Sequence, residues 1–185
     1  MKLNFIILVL FTVSFSFGQT EIAGVELPDS FTLNGSELSL NGAGVREKFW
    51  MDMYVGGLYT SENIKSSDEV LTANAPMLIK LHIVSGLISS GKMSTAVEDG
   101  FENSTQGNTA VYRTKIDKFK SFFSEEISKN DVFDIAYSPS EGVVVFKNNT
   151  KLGVIEGLDF KIALFGIWFG EEPADKKLKK GMLNL

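Results

Sequence analysis

The sequence contains no cysteine and only one histidine, His82. Without thiols there is no disulfide, no thiolate metal site and no cysteine nucleophile, and a lipoprotein leader has no residue to carry its lipid. His82 has no His-x-x-His or Glu-x-x-His spacing around it, so nothing in the sequence converges with it on a metal. On an alternating strand it reads as a polar-face residue. No Gly-x-Ser-x-Gly elbow is present, which leaves a Ser-His-Asp hydrolase without its nucleophile turn. A basic stripe is also missing: 18 Lys and Arg stand against 23 Asp and Glu, a net charge of −5, which excludes a nucleic-acid binder of the usual electrostatic kind. The one basic cluster, "DKKLKK" at 175–180, reads as the solvated face of a helix. There is no internal repeat and no low-complexity linker.

A long apolar run occurs once, at the start. "MKLNFIILVLFTVSFSFGQT" has the form of a secretory signal: Lys2 as the positive region, Leu3 to Phe17 as the apolar segment, and small residues Ser16 and Gly18 where a peptidase reads. As a helix that segment spans roughly 22 Å at ~1.5 Å per residue, short of a ~30 Å hydrocarbon core. An uncleaved anchor is the alternative. Cleavage after Gly18 leaves 167 residues, one domain with room for a sizeable core, and 17 basic against 23 acidic residues. The expectation is a signal peptide over 1–18 and one domain over 19–185, exported, and periplasmic if the host has a Gram-negative envelope. Once the leader is removed, no stable membrane insertion is expected.

Strand signals come first. Residues 24–40 alternate apolar and polar, and Asn34-Gly35 between "FTL" and "ELSL" predicts a hairpin. Met51 to Thr60 is a strand rich in Tyr, Val and Leu. "MLIKLHIVSG" alternates Leu78, Lys80 and His82 against Ile79, Leu81 and Ile83, which predicts a half-buried strand with one polar face. The period then changes. Met93, Val97 and Phe101 fall four apart on an amphipathic helix. "NTAVYRTKIDKFKSFFSEEI" predicts a second helix, opened by an Asn108 or Thr109 cap and carrying Val111, Tyr112, Ile116, Phe119, Phe122, Phe123 and Ile127. Strands return at "DVFDIAYSP", "GVVVFKN" and "TKLGVIEG", with turns at Pro139–Gly142 and Asn148-Asn149. "LDFKIALFGIWFG" is a buried helix ended by Gly170, and Pro173 restarts a short polar helix through about Lys180. This order implies an α+β fold, a mostly antiparallel sheet with helices packed on one face.

Within "LNGAGVREKFWMDMYVGGLYT", residues 40–60, Arg46 stands in an otherwise apolar, strand-like run. A guanidinium taken out of water keeps its proton and needs an anion. Its neighbour Glu47 points to the opposite face, so the partner is a distant carboxylate or a ligand's. The preceding glycines lack the offset of a dinucleotide fingerprint. They mark a bulge or a place where something approaches the backbone closely. "EEPAD" reads as acidic residues at a helix start.

The same stretch, Gly-x-Gly-x-Arg running into Tyr-Val-x-x-Leu-Tyr, resembles the chalcone isomerase-like proteins. So does "ALFGIWFGEEPADKKLKKGMLN", an apolar helix followed by a Gly-x-x-Pro turn. The resemblance spans the whole of 19–185. It implies a curved antiparallel sheet covered by a layer of helices, with a ligand cleft between them. Some members of that family are isomerases that close a chalcone to a flavanone. Fatty-acid-binding members hold a carboxylate with an arginine and a tyrosine, whose places here are taken by Arg46 and Tyr54. The isomerases' catalytic tyrosine aligns with Met93, their helix asparagine with Gly100 and their C-terminal Ser or Thr with Asp175. Met93 and Gly100 supply no side-chain donor for a shifting charge, and each such loss typically costs on the order of a hundredfold or more. A cation and a phenol suit a carboxylate better.

The implied function is an exported binder of a small apolar carboxylate, fatty-acid-like, with Arg46 and Tyr54 as ligand residues and no cofactor or metal. An isomerase or intramolecular lyase of an enone is the alternative, and an envelope protein with a filled cleft is the third possibility. The oligomeric state is open. One geometric condition attaches to Tyr54. On a straight strand it would lie roughly 26 Å from Arg46 at ~3.3 Å per residue. Either the chain reverses within "EKFWMD", a poor turn sequence, or another hydroxyl joins Arg46.

Overall fold

The computed structural model describes residues 19–185, and the expected leader, 1–18, lies outside the described residues. A short ribbon of β1 (Gln19–Ile22) and β2 (Val25–Pro28) leads into a seven-stranded antiparallel sheet. Its strands lie side by side in chain order: β3 (Ser30–Leu33), β4 (Ser36–Lys48), β5 (Met51–Thr60), β6 (Met77–Ile83), β7 (Val132–Ser138), β8 (Gly142–Lys147) and β9 (Thr150–Ile155). Helix α1 (Ser67–Thr72) joins β5 to β6. α2 (Ser90–Ser104) and α3 (Arg113–Ser121) join β6 to β7, and α4 (Leu158–Phe169) and α5 (Lys176–Met182) follow β9.

Two-residue turns set the meander. Asn34-Gly35 (φ 49° and 82°) closes β3–β4, and Asn148-Asn149 (φ 49° and 67°) closes β8–β9, both with the paired positive φ of a type I′ turn. The turn between β4 and β5 has the same form but is built from Phe49 (φ 52°) and Trp50 (φ 60°), with Lys48 and Met51 paired across its base. Bulky aromatics in that region are uncommon and strained. This is the reversal that the sequence "EKFWMD" disguises.

Strand alternation divides the core. Tyr54 and Leu58 of β5 and Ile79, Leu81 and Ile83 of β6 point to the helix layer, where they meet Met93, Val97 and Phe101 of α2, Phe119 of α3 and Phe160 and Phe165 of α4. The phenylalanines interlock, with Phe101 stacked on Phe160 at 5.6 Å and edge-on to Phe119 at 6.1 Å. α4 is apolar nearly all round because α1 and α2 cover it. Its one cation, the fully buried Lys161, donates to the carbonyls of Val70, Leu71 (3.0 Å) and Ala73 (2.9 Å), satisfying the C-terminal end of α1.

Three sequence expectations need correction. The strand 77–83 lacks the open polar face its alternation suggested: Leu78 packs with Tyr59, Leu33 and Leu38, and Lys80 is buried against Asp134 at 2.6 Å. Sheet curvature brings β3 over that side, placing the Phe31 ring 5.6 Å from the Lys80 ammonium. The single helix expected from Asn108 to Ile127 is a 3-10 turn, Thr109–Tyr112, followed by α3. Val111 and Ile116 are five apart and share no helix face, so Val111 is exposed. Beyond Ser121 the chain leaves the helix so that Phe122 lies on Gly153 of β9 and Phe123 packs on Phe133. Asn108 makes no side-chain cap bond. The last helix starts at Lys176 rather than Pro173, because Asp175 caps it, accepting from Lys177 N (2.7 Å) and Leu178 N (3.0 Å).

The glycines before Arg46 serve both roles anticipated for them. The pairing shifts between Leu40 and Gly42, bulging Asn41, whose amide bonds Ile64 O and Met182 O at 2.8 Å each. A Cβ at Gly42 would run into the Gly181 carbonyl, and one at Gly181 into that of Ala43 (2.5 Å). Helix α5 therefore lies directly on the β4 backbone.

Candidate functional site

Because β4 and β5 form a tight hairpin, Arg46 and Tyr54 are direct cross-strand partners. The Arg46 guanidinium carbon stands 5.7 Å from the centre of the Tyr54 ring. The eight-residue separation that set them apart along the chain is what brings them together across the turn. Both line a cavity of about 540 Å³ between the sheet and α2, within the ~300–1,000 Å³ range of small-ligand sites.

The two polar groups are held differently. Arg46 is half-buried and its Nε is buried with no hydrogen-bond partner. Among the described residues it forms no ion pair. The Nε is shielded, so an acceptor in the cavity would meet the accessible remainder of the half-buried guanidinium. Tyr54 is buried, and its hydroxyl accepts the indole N–H of Trp168 at 3.0 Å. With that lone pair engaged and no carbonyl or carboxylate of the described residues accepting from it, the phenol proton is free for a ligand oxygen. Burial raises the Tyr54 pKa and the Arg46 charge opposes the rise, so the phenol stays a donor at neutral pH.

The remaining walls are largely apolar, with Met53 of β5, Ile88 on the approach to α2, and Met93, Ala96 and Gly100 of α2, and α2 also brings Thr95 and Asn103 to the lining. Lys48 and Lys92 add positive charge, and Asp99 and Glu172 add two carboxylates farther round the rim. Met93 and Gly100 stand where the resemblance places an isomerase's tyrosine and asparagine. Both face the cavity and bring no hydroxyl or amide to it. At Gly100 a Cβ would press on Ile167 at 2.9–3.0 Å, so α4 itself occupies the space a side chain would need. Asp175 is consumed by capping: one oxygen serves α5, and the other accepts from Glu47 N at 3.2 Å. His82 is half-buried, and no group of three metal-ligating side chains gathers among the described residues.

Trp168 is the site residue that the sequence did not single out. Its signal was present: a tryptophan in an otherwise apolar buried helix needs an acceptor for its N–H. Only the fold identifies Tyr54 as that acceptor.

No curated protein matches the chain in sequence. Among solved structures, a fatty-acid binding protein of Arabidopsis thaliana shares the fold with a TM-score of 0.72, at 19% identity, over 90% of this chain and 96% of that one. A profile described as chalcone isomerase-like matches residues 19–184. The curved antiparallel sheet, its helix layer and this match establish that the chain belongs to the chalcone isomerase-like family.

Proposed function

We propose that the protein binds a small apolar carboxylate, of the fatty-acid class, in the cavity between the sheet and α2. The observation that carries this is the pairing of Arg46 and Tyr54 on one wall, the first without an ion pair among the described residues and the second a buried phenol whose oxygen already accepts from Trp168. A guanidinium takes a carboxylate through two parallel N–H bonds, and the phenol adds a third. The aliphatic tail runs along Met53, Ile88, Met93 and Ala96, burying apolar surface at roughly 25 cal/mol per Å². The structural likeness to a plant fatty-acid binding protein supports the same class of ligand. An isomerase would need donors around a ketone and a phenolate, and positions 93 and 100 offer none.

The test is calorimetric titration of delipidated protein with saturated fatty acids of increasing chain length, beside the matching alcohols. Saturable one-to-one binding of the acids, strongly reduced for the alcohols, is the expected result. Equal affinity for acid and alcohol overturns the role given to Arg46. Export is part of the same proposal. The mature N-terminus should be Gln19, read by intact mass of protein recovered from the native envelope.

A further inference from the structure

Among the described residues seven large apolar side chains stay in water; Val111, Ile162 and Leu185 stand apart from one another, and the other four form a patch. Phe49 (73% exposed), Trp50 (98%), Met51 (42%) and Leu87 (47%) gather at one end. Phe49, Met51 and Leu87 also line the mouth of the cavity, so the exposed patch and the ligand entrance are continuous. On its other side the hairpin tip borders a shallow depression that Phe49 and Trp50 share with Lys176 and Lys177. The tip is built against local preference. A two-residue turn with both φ positive favours Asn-Gly, yet this one holds two aromatics at φ 52° and 60°. Neither ring gains core packing in exchange, so folding gives no account of the choice.

The surroundings narrow the partner. In a chain of net charge −5, Lys48, Lys92 and Lys176 flank the tip, and none forms an ion pair among the described residues. Of the nearby acids, Glu47 is paired with Lys177 at 3.3 Å and Asp175 is engaged in the α5 cap, while Asp52, Asp99 and Glu172 carry no ion pair among the described residues. A projecting pair of rings with two smaller neighbours is far too small for a stable protein interface, which needs roughly 800 Å² from each partner. Projecting aromatic rings with unpaired lysines beside them fit the interfacial layer of a bilayer, where tryptophan sits at headgroup depth.

We propose that the β4–β5 tip docks the protein peripherally on a bilayer bearing anionic headgroups, seating Phe49 and Trp50 in the interface with the cavity mouth turned toward the lipid. Docking requires only the exposed tip. Its use for passing an apolar ligand between membrane and cavity rests on the function proposed above. No helix among the described residues is long and apolar enough to cross a membrane, so the contact is one of attachment.

Vesicles of phosphatidylcholine with phosphatidylglycerol, and of phosphatidylcholine alone, test it by co-sedimentation and tryptophan emission. Trp168 is already buried, so a blue shift on adding vesicles reports Trp50. The mixed vesicles should sediment the wild-type protein with a blue shift and brominated-lipid quenching, and neutral vesicles should do so at least several-fold less. The decisive variant is Phe49→Asn with Trp50→Gly. It installs the residues the turn prefers, so it should fold with a higher melting temperature while losing vesicle binding by tenfold or more. Arg46→Ala should dock like wild type even where it no longer holds a fatty acid, which separates failure of docking from failure of the ligand assignment. Absence of vesicle binding, or equal binding by the double variant, overturns the proposal. So does self-association that depends on Trp50, which would assign the tip to a second copy.

Discussion

Trp168 donates its indole N–H to the hydroxyl of Tyr54 at 3.0 Å, joining α4 to β5 across the buried end of the cavity. This bond engages a lone pair of the hydroxyl and restricts its rotation, leaving the Tyr54 proton to be donated elsewhere.

Trp168→Phe therefore tests whether that orientation matters. Loss of one neutral hydrogen bond should lower stability by about 1 kcal/mol. Fatty-acid affinity should fall several-fold as the phenol regains freedom to rotate. Chemical unfolding and calorimetry measure the two effects separately. Unchanged affinity alongside reduced stability would reduce Trp168 to packing.

Arg46 carries the larger share. Hydrogen bonds to charged groups contribute about 1.5–3 kcal/mol, so Arg46→Ala should weaken carboxylate binding on the order of ten- to a hundredfold. Arg46→Lys keeps the charge and loses the two-pronged geometry, and should recover only part of it. The measurement is the affinity ratio of acid to alcohol for each variant, which should collapse toward one in Arg46→Ala.

Position 100 asks whether the cavity can be given an amide at the place where the resemblance puts an isomerase's asparagine. Gly100→Asn forces a Cβ onto Ile167 and should destabilise the fold by about 1–3 kcal/mol, the usual range for overpacking. Adding Ile167→Ala should restore part of that, a coupling visible in a double-mutant cycle of denaturant midpoints. Independent, additive effects would mean that α4 does not set the limit.

Acid stability has an identifiable contributor. Glu98 on α2 is hydrogen-bonded by Arg113 and by Lys120 of α3, and these bonds lower its pKa from 4.5 to about 2. The folded chain thus binds this proton less readily than the unfolded one. Its contribution is complete above about pH 5 and is lost as pH falls through 4.5 toward 2. Melting temperatures of wild type and Glu98→Gln should converge over that interval and separate above it. High salt should shrink the gap, because both ends of the pair are partly exposed.

The elements themselves were legible because their signals are local. The strand-forming composition of 51–60, the period of two in 77–83, the period of four from Met93 to Phe101, and the Asn-rich turns at 34–35 and 148–149 all report the chain's immediate surroundings. The expected helix through Ile127 failed for a non-local reason: Phe122 and Phe123 gain more by lying on Gly153 and Phe133 than by extending a helical turn. The polar face expected for 77–83 failed because strand pattern cannot show that the sheet curls β3 over Lys80.

The sequence by itself determined the α+β class, the succession of strands and helices along the chain and the presence of one arginine without an obvious partner, since charge and periodicity are properties of the chain. Tertiary structure alone decided that Arg46 meets Tyr54. That contact depends on a reversal at Phe49-Trp50, two residues with no local preference for it, which the sheet pairing on either side enforces. It also decided that Trp168, more than a hundred residues away, fixes the phenol between them. Hydrogen-bond direction and cavity shape arise only when separate elements are packed, and no stretch of sequence carries them.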